Sequence, residues 1–485
     1  MNWVLAALSG TLLVLIFPTF DLVFLAPVAL TPLIVAVARE PRRLARFGMG
    51  YLAGLIYWCG VNSWIEFVLD AHGGTGPVLG WALFTLFCLA KAIHLGVFAW
   101  LAGWAVRALW AAIAVPALWV AIEWTHGPLG FAWLDLGNAG IDMGLPMRLA
   151  PITGVYGLSF LFALMSTALA LACLRRSRLQ IAPLLLILAL FALPSLPESV
   201  RGKASAILVQ PNIPDDQSWN PASFDATMRQ LEILSMFSGR RVASEADLLV
   251  WPEVPAPFYE KTPEMADVAR RSGPGARTYF LAGVVGRAED GQPLNSAVLW
   301  SPEGAELSRY DKVNLVPFGE FVPWPLGYLT RKISTEAGDF KPGTRVVVSQ
   351  ENGHRIGTFI CYESVFPGFI RKFVLQGAEA LFNLSNDSWF GRSAARHQHL
   401  EIVRMRAAEN RRWILRSTND GITAAIDPAG RVTREAQPFQ AVSARVDFDY
   451  LNGTTFYTRW GDWFVALCAI VAALGISWTL TDTRR

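Results

Sequence analysis

The sequence predicts a polytopic α-helical membrane domain joined to one large water-exposed domain of layered α/β type. Of the 485 residues, 53% are hydrophobic and only 17% are charged, whereas a soluble domain has roughly 25% charged residues. Long apolar runs fill the first part of the chain, and short apolar runs separated by turn residues follow them. The net charge of +3 and the absence of a basic run with interleaved aromatics give no reason to expect nucleic-acid binding.

Eight apolar runs are candidates for membrane-spanning helices, each of which needs about 20 residues. Seven of them predict a transmembrane domain over residues 1–200, and the last predicts a final transmembrane helix within 460–480. The predicted spans are 3–19, 22–38, 47–68, 77–106, 108–124, 150–174, 182–197 and 462–480. A cleaved signal peptide is a poor interpretation of the start, because the first three residues are not basic and many more spans follow.

Arginines in the connecting loops predict the orientation of the chain. They follow the second, fourth and sixth spans and end the chain, whereas the connections at 70–76 and 125–149 contain only Arg148 as Lys or Arg. Positively charged loops stay in the cytoplasm, so both termini are expected there. After seven spans the water-exposed domain then emerges on the outer side.

Residues 203–449 have the pattern of a layered α/β domain. A helix is predicted after Ser223, with that residue as N-cap, because Phe224, Met228 and Leu231 have helical spacing. The predicted strands are 205–210, 248–251, 279–285, 296–300, 346–349, 356–361, 380–384, 414–417, 423–426 and 442–446.

Three segments of this domain, 248–253, 310–320 and 357–364, each place an ionisable or nucleophilic residue at the end of an extended stretch. Strand ends are where open α/β sheets present such groups. These residues are Glu253, Lys312 and Cys361, and Cys361 is the only one of five cysteines in the polar part of the chain. A cysteine reacts as its thiolate, so Glu253 could act as a general base while Lys312 and the backbone N–H of Tyr362 stabilise an oxyanion. Taken singly, each residue also fits an ordinary packing or surface role.

The three motifs, WPE at 251–253, DKVNLVPFGE at 311–320 and ICYE at 360–363, together resemble the nitrilase (carbon–nitrogen hydrolase) superfamily. The catalytic domain of that superfamily is an α-β-β-α sandwich with a Glu–Lys–Cys triad. The combination with membrane spans on both sides is similar to the apolipoprotein N-acyltransferase family of bacterial envelopes, over essentially the whole chain. This resemblance implies Glu253 as general base, Lys312 as electrostatic partner and Cys361 as nucleophile.

The resemblance also implies residues that support the triad or bind substrate. They are Glu320, Tyr362, Glu363, Trp219, Asn386 and Trp389. Glu320 would support the lysine and the base, and Trp219 would contact lipid substrates. Pro211 and Arg411 stand where the family pattern has glycine; this departure concerns the geometry of two loops and not the reaction.

The implied reaction is a ping-pong transfer through an acyl-thioester on Cys361, with no metal and no other cofactor. The acyl donor would be a membrane phospholipid, and the acceptor the free α-amine of the N-terminal diacylglyceryl-cysteine of an apolipoprotein. The product is a mature triacylated lipoprotein. A monomer in the bacterial inner membrane is expected, with its catalytic domain on the periplasmic side. Aromatic loops at 318–328 and 389–390 fit either lids that keep water out or core packing.

Other interpretations fit parts of the sequence. A membrane-tethered amidase of the same superfamily would use water in place of the amine, and an inactive nitrilase scaffold could act as an envelope receptor. Lys91 and His94 lie in mid-span, which fits a polar bundle interior, a Lys91 side chain that reaches the membrane surface or, less well, a transport path. His397 and His399 could ligate a metal, but no clear third ligand is present, so a surface position or a supporting role behind the catalytic residues is favoured.

Overall fold

The computed structural model describes residues 1–199, 202–214, 217–238, 241–242, 246–257, 259–260, 265, 267–268, 271, 278–317, 319–320 and 340–482. The chain divides into two compact units. The helical unit comprises Met1–Asp70, Gly76–Leu196 and Arg459–Arg485, and the sandwich unit comprises Ala71–Thr75 and Pro197–Thr458.

The α-helices with described bounds are numbered α1 to α14 in chain order. They are Asn2–Leu15, Thr31–Arg39, Arg43–Val61, Trp64–Phe67, Pro77–Ala105, Ala111–Trp124, Ala150–Thr153, Val155–Cys173, Arg178–Ile181, Pro221–Met236, Pro367–Leu375, Ala395–Asn410, Phe456–Trp460 and Trp463–Asp482. Short 3-10 helices also occur, and those at Cys361–Val365 and Asp387–Phe390 matter for the site.

Three described helices are long and apolar enough to cross a membrane, namely Pro77–Ala105, Val155–Cys173 and Trp463–Thr481. The pair Arg43–Val61 and Trp64–His72, bent by 57°, makes a fourth if it is counted as one span. Shorter apolar helices occupy Asn2–Leu15, Val23–Arg39, Ala111–Trp124 and Arg178–Ala192. Each predicted span therefore coincides with an apolar helical segment, but the predicted number of eight is not confirmed, because four of the segments have only 10–17 residues.

Helices α3 and α5 pack closely because small residues line their contact. A Cβ atom added at Gly50 of α3 would lie 2.2 Å from the carbonyl oxygen of Leu95 on α5. Small residues let helix backbones approach each other in this way where no hydrophobic effect drives the association.

Polar side chains lie inside the helical unit. Lys91 is buried, with only 5% of the residue exposed. Its ammonium donates a 2.9 Å hydrogen bond to the carbonyl of Phe131 and lies 4.6 Å from the ring centroid of Trp58. The rings of His94 and His126 pack with their centroids 4.2 Å apart. Lys91 therefore belongs to a polar interior and does not extend its charge to the membrane surface.

The sandwich unit contains strands β1 to β14. They are Ala204–Gln210, Phe237–Ser238, Arg241–Val242, Leu248–Val250, Tyr279–Arg287, Pro293–Trp300, Glu306–Asp311, Val348–Glu351, His354–Ile360, Ala380–Ser385, Ile414–Thr418, Ala424–Ile426, Val432–Glu435 and Val442–Phe448. Two six-stranded sheets have the orders β14-β1-β4-β5-β6-β7 and β13-β12-β11-β10-β9-β8. The pairs β1–β4 and β4–β5 in one sheet, and β9–β10 and β10–β11 in the other, are parallel.

The two sheets face each other and helices cover their outer faces. The Ser417 hydroxyl of β11 donates a 2.8 Å hydrogen bond to the carbonyl of Val209 on β1, which joins the sheets directly. Phe224 and Met228 of α10 pack on the core of the first sheet, while α11 and α12 pack on the second. This order of layers confirms the predicted α-β-β-α sandwich.

The ten predicted strands all coincide with strands of the two sheets, with shifted ends. The strands predicted to include Trp251 and Cys361 end one residue earlier, at Val250 and Ile360. Helix α10 begins at Pro221 because the Asn220 side chain accepts hydrogen bonds of 3.0 Å from two backbone N–H groups of the first turn, so the predicted N-cap Ser223 is wrong.

Candidate active site

Cys361 lies directly after the buried strand β9, at the start of the short helix Cys361–Val365. Its φ of +48° places it in the left-handed region, which non-glycine residues rarely adopt and which is often found at functional sites. The residue is buried, at 7% exposure. Since β9 and β10 are parallel and in register at Ile360 and Leu384, Ser385 lies beside Cys361 at the same sheet edge.

Lys312 follows β7 and forms a buried ion cluster with two carboxylates. Its ammonium donates hydrogen bonds of 3.1 Å to Oε1 of Glu253 and 2.9 Å to Oε1 of Glu320. The Asn295 amide also donates to both of these oxygens, at 2.7 Å each. Glu253, Lys312 and Glu320 are thus brought together, and Asn295 is a member of the cluster that the sequence analysis missed.

Both carboxylates are also held by backbone donors. The N–H of Asn386 donates a 2.8 Å hydrogen bond to Oε2 of Glu253, and the N–H of Val316 donates a 2.8 Å bond to Oε2 of Glu320. Each carboxylate therefore has one oxygen facing Lys312 and the other fixed to the main chain. A base held in this way has a defined direction for accepting a proton.

Burial and charge act against each other on the ionisable groups of the cluster. Burial alone would lower the pKa of Lys312, but the negative charges of Glu253 and Glu320 outweigh it and raise that pKa. Burial raises the pKa of the Cys361 thiol and the charge of Glu253 adds to this, while Lys312 and a hydrogen bond with Ser385 act in the opposite direction. Lys312 is therefore charged, and Cys361 is a thiol that needs a base before it can react.

Glu363 links the cysteine segment to the lysine segment. Its carboxylate accepts hydrogen bonds from the Tyr310 hydroxyl at 2.6 Å and from the backbone N–H groups of Ile360 and Val313 at 2.8 Å each. Burial raises the pKa of Glu363 to about 7, although these donors act against it. Glu363 is thus a structural tie between the two segments.

The other predicted site residues lie at different distances from this cluster. Tyr362 follows the nucleophile, is 4% exposed and packs edge-on against Phe366. Asn386 contributes its backbone N–H to Glu253. Trp389 is half-buried and stacks on His72 of the same unit, with ring centroids 4.3 Å apart.

Trp219 is a surface residue in the segment before α10, 41% exposed, and it makes none of the hydrogen bonds of the cluster. The predicted lid at 318–328 lies outside the described residues except for Gly319 and Glu320. Within the parts of the chain that the structure describes, no three His, Cys, Asp or Glu side chains form a group that could hold a metal ion. His397 is exposed, whereas His399 is buried beneath Cys361.

Comparisons with known proteins cover both units. Residues 206–455 match the family described as Carbon-nitrogen hydrolase, and residues 9–168 match the Apolipoprotein N-acyltransferase N-terminal domain. The apolipoprotein N-acyltransferase of Geobacter metallireducens is 34% identical over 98% of this chain and 95% of its own length. That of Methylococcus capsulatus is 33% identical over 97% and 95%, respectively.

A solved CN-hydrolase superfamily protein from Xanthomonas campestris is 22% identical, with a TM-score of 0.37, and the match covers 50% of this chain and 90% of that chain. The family of this chain is therefore assigned from the sequence matches, which extend over nearly its whole length.

Proposed function

Because the chain belongs to the apolipoprotein N-acyltransferase family, we propose that it transfers an acyl chain from a phospholipid, through a thioester on Cys361, to an apolipoprotein. The acceptor is the free α-amine of the N-terminal diacylglyceryl-cysteine, and the product is a triacylated lipoprotein. The observation that supports this most strongly is the buried cluster of Lys312 with Glu253 and Glu320 at the sheet edge that carries Cys361.

In the first half-reaction Glu253 takes the thiol proton and the Cys361 sulfur attacks the ester carbonyl of the phospholipid. Lys312 and the backbone N–H of Tyr362 stabilise the oxyanion that forms. When this intermediate collapses, the carbon–oxygen ester bond breaks and Glu253 returns its proton to the departing alkoxide. A lysophospholipid leaves and the acyl group remains as a thioester.

In the second half-reaction the α-amine of the acceptor attacks the thioester. An α-amine has a pKa near 8, so an appreciable neutral fraction is present at neutral pH. Glu253 accepts the proton lost by the amine, an amide bond forms, and the proton passes to the departing sulfur of Cys361. Glu320 holds Lys312 in place through both steps, and no metal or organic cofactor is needed.

The helical unit fits substrates that remain in a bilayer. Both substrates carry long acyl chains, and each buried CH₂ contributes about 0.8 kcal/mol to their stability in lipid. The apolar helices and the family membership identify a bacterial membrane protein. We further propose eight spans and a monomeric enzyme. On the arginine distribution and the odd number of spans before the sandwich unit, we propose cytoplasmic termini and a periplasmic sandwich unit.

Trp219, Trp389 and Asn386 are proposed to act on the substrate side of the site. Trp219 is an exposed aromatic suited to lipid contact. Trp389 and Asn386 belong to the segment that fixes Glu253.

A transfer assay tests this function against hydrolysis. Purified protein in detergent is mixed with a phospholipid and a diacylglyceryl lipopeptide with a free N-terminus, and separately with small amides. Acylated lipopeptide that depends on the phospholipid supports the transferase. Hydrolysis of small amides without transfer to the lipopeptide would favour the amidase alternative.

A further inference from the structure

Beneath Cys361 lies a buried polar network that the proposed reaction does not use. All five members of this network are 0% exposed. They are His399 on α12, Ser385 at the end of β10, Asp387 two residues later, Arg416 on β11, and Ser364 in the short helix that begins at Cys361. Burying so many polar groups is costly unless each is hydrogen-bonded. These buried polar groups therefore have to be paired with one another, and their pairing fixes the surroundings of Cys361.

Asp387 and Arg416 form the charged part of this network. One guanidinium nitrogen of Arg416, Nη2, lies 2.7 Å from Oδ1 and 2.6 Å from Oδ2 of Asp387. The Ser385 hydroxyl donates a 2.8 Å hydrogen bond to Oδ1. Burial alone would raise the pKa of Asp387, but the charge of Arg416 and the other contacts of the carboxylate together outweigh burial and lower that pKa. Asp387 is thus an ion held by Arg416 and Ser385.

The imidazole of His399 connects that ion pair to the nucleophile. Its Nε2 lies 3.2 Å from the carbonyl oxygen of Cys361 and 2.9 Å from the Ser364 hydroxyl. Its Nδ1 lies 3.2 Å from Asp387 Oδ1 and 3.2 Å from Nη2 of Arg416, the nitrogen that also contacts Asp387. Burial, with the charge of Arg416 adding to it, lowers the pKa of His399, so the ring is neutral and carries one proton.

The position of that proton follows from the donors around the ring. Nη2 of Arg416 carries two hydrogens, so one can donate to Oδ2 of Asp387 and the other to Nδ1 of His399. Oδ1 of Asp387 then accepts from the Ser385 hydroxyl. If Nδ1 accepts from Arg416, Nε2 carries the proton and donates it to the carbonyl of Cys361, with Ser364 as a second acceptor. The opposite tautomer would place the lone pair of Nε2 against that carbonyl oxygen.

The carbonyl of Cys361 and the N–H of Tyr362 belong to one planar peptide group. A donor that holds the carbonyl oxygen therefore also fixes the direction of the Tyr362 N–H. This matters because the φ of +48° at Cys361 is held only by its surroundings. The N–H of Tyr362 is, on the proposed function, a donor to the oxyanion.

We propose that His399, as its Nε2–H tautomer, is a positioning residue that holds the Cys361 carbonyl and thereby aims the Tyr362 N–H at the oxyanion. The proposal rests on the proposed thioester chemistry of Cys361. It assigns the second histidine of the His397-x-His399 pair a role in the reaction that is not metal binding. Asp387 and Arg416 hold the ring in the required tautomer and orientation.

Two substitutions of His399 test the roles of its two ring nitrogens separately. His399→Gln places an amide N–H₂ near the position of Nε2, so it keeps a donor for Cys361, whereas His399→Asn reaches only the position of Nδ1. His397→Asn, two residues away on an exposed side chain of the same helix, is the matched control. Melting temperatures of all variants in detergent show which of them fold.

Two rates are measured on each full-length variant. The first is acylation of Cys361 by a p-nitrophenyl ester of a long-chain fatty acid, followed as a p-nitrophenolate burst, which passes through an oxyanion. The second is alkylation of Cys361 by iodoacetamide, which has no oxyanion. His399→Asn should slow acylation about tenfold or more, within the loss expected for a poorly placed oxyanion donor, and leave alkylation within about twofold. His399→Gln should restore acylation, and His397→Asn should change neither rate.

Equal acylation by the two His399 variants, or parallel losses of acylation and alkylation, would overturn the proposal. If wild-type protein gives a burst with the p-nitrophenyl ester but is not acylated by phospholipid, the proposed function is refuted and the role of His399 is not. If wild-type protein gives no burst at all, the proposed function and the role of His399 are both refuted. If His399→Asn does not fold, ¹⁵N spectroscopy of histidine-labelled wild-type protein decides, with His399→Gln assigning the signal. An Nε2–H signature supports the proposal and an Nδ1–H signature overturns it.

Discussion

The Tyr310 hydroxyl donates a 2.6 Å hydrogen bond to the carboxylate of Glu363, and through it the segment of Lys312 is tied to the segment of Cys361. Tyr310 lies two residues before the lysine and Glu363 lies two residues after the cysteine, and they are 2% and 0% exposed, respectively. The separation of the proposed nucleophile and its electrostatic partner is thus set by a bond outside the ion cluster.

Tyr310→Phe removes this bond while keeping the ring. We expect the free energy of unfolding to fall by about 1–3 kcal/mol, because a buried carboxylate loses one donor. The rate of thioester formation should fall as well, since the two segments are less firmly joined. Thermal unfolding in detergent and the acylation burst measure these effects. Tyr279→Phe, on a half-buried tyrosine of β5, is the control, and equal effects of the two substitutions would contradict the role of Tyr310.

Glu363 should make stability depend on pH in a defined window. Its pKa is raised from 4.5 to about 7 in the folded protein, first of all by burial. A carboxyl with a raised folded pKa stabilises the fold below its unfolded pKa, and this contribution is lost as pH rises through about 7. Between pH values of about 4.5 and 7, wild-type protein should therefore lose at most about 3 kcal/mol relative to Glu363→Gln. Parallel stability curves for the two proteins over this range would show that Glu363 does not titrate there.

Removing the charge of Lys312 should lower the stability of the fold and, as a second and separate effect, abolish thioester formation. Lys312→Met leaves the carboxylates of Glu253 and Glu320 without a cation, and breaking a buried pair costs about 3–5 kcal/mol. Adding Glu320→Gln removes one of the two negative charges and should recover part of the melting temperature. Thioester formation should stay absent in the double variant, because the oxyanion still has no charged partner. Recovery of both properties together would mean that Lys312 acts only through stability.

Asn295 should contribute to the reaction although it carries no charge. Its amide donates 2.7 Å hydrogen bonds to both Glu253 and Glu320, so Asn295→Ala leaves two buried carboxylate oxygens short of a donor. A hydrogen bond to a charged group contributes about 1.5–3 kcal/mol, and we expect acylation to slow about tenfold. Gln292→Ala, on an exposed residue of the preceding turn, should have no effect. A normal acylation rate in Asn295→Ala would argue against its place in the cluster.

Lys91 should matter for stability and not for catalysis. Lys91→Met removes the bond to the carbonyl of Phe131 and the contact with the Trp58 ring, so the melting temperature should fall by a few degrees. Acyl transfer by the folded fraction should equal that of wild-type protein. Lys372→Met, on an exposed lysine of α11, is the control. Loss of transfer without loss of stability in Lys91→Met would point to a functional path through the helical unit.

The central strands and the nucleophile were predictable because both have a local signature. Buried parallel strands such as Ala380–Ser385 are mainly apolar, and Cys361 directly follows a strand that ends in two apolar residues, Phe359 and Ile360. The edge strands β7 and β13 were not predicted, because Glu306–Asp311 and Val432–Glu435 are mostly polar and partly or fully exposed. An edge strand needs no apolar face, and charged residues there are common.

The number of spans could not be derived from hydropathy alone. Apolar composition places the helical segments well, but helix length also depends on where prolines and bends interrupt the backbone. The segment predicted as 47–68 is divided by a 57° bend, and Ala111–Trp124 is only 14 residues long with Pro116 inside it.

Residues that act through others left no signal in the sequence. Asn295 lies within an ordinary strand, and its two carboxylate partners are 42 and 25 residues away along the chain. His399 and Cys361 are 38 residues apart along the chain, and they come into contact only in the folded protein. The proposed triad was recognisable because its three motifs have family-specific neighbours, whereas these partners have none.

The most direct test of the account is the intact mass of the purified protein after incubation with a phospholipid alone, beside a Cys361→Ala control. We predict one added acyl mass that is absent from the control and is removed by hydroxylamine or by a lipopeptide with a free N-terminal amine. An unmodified wild-type protein under conditions in which the lipopeptide becomes acylated, or an adduct that persists in Cys361→Ala, would contradict the thioester on Cys361.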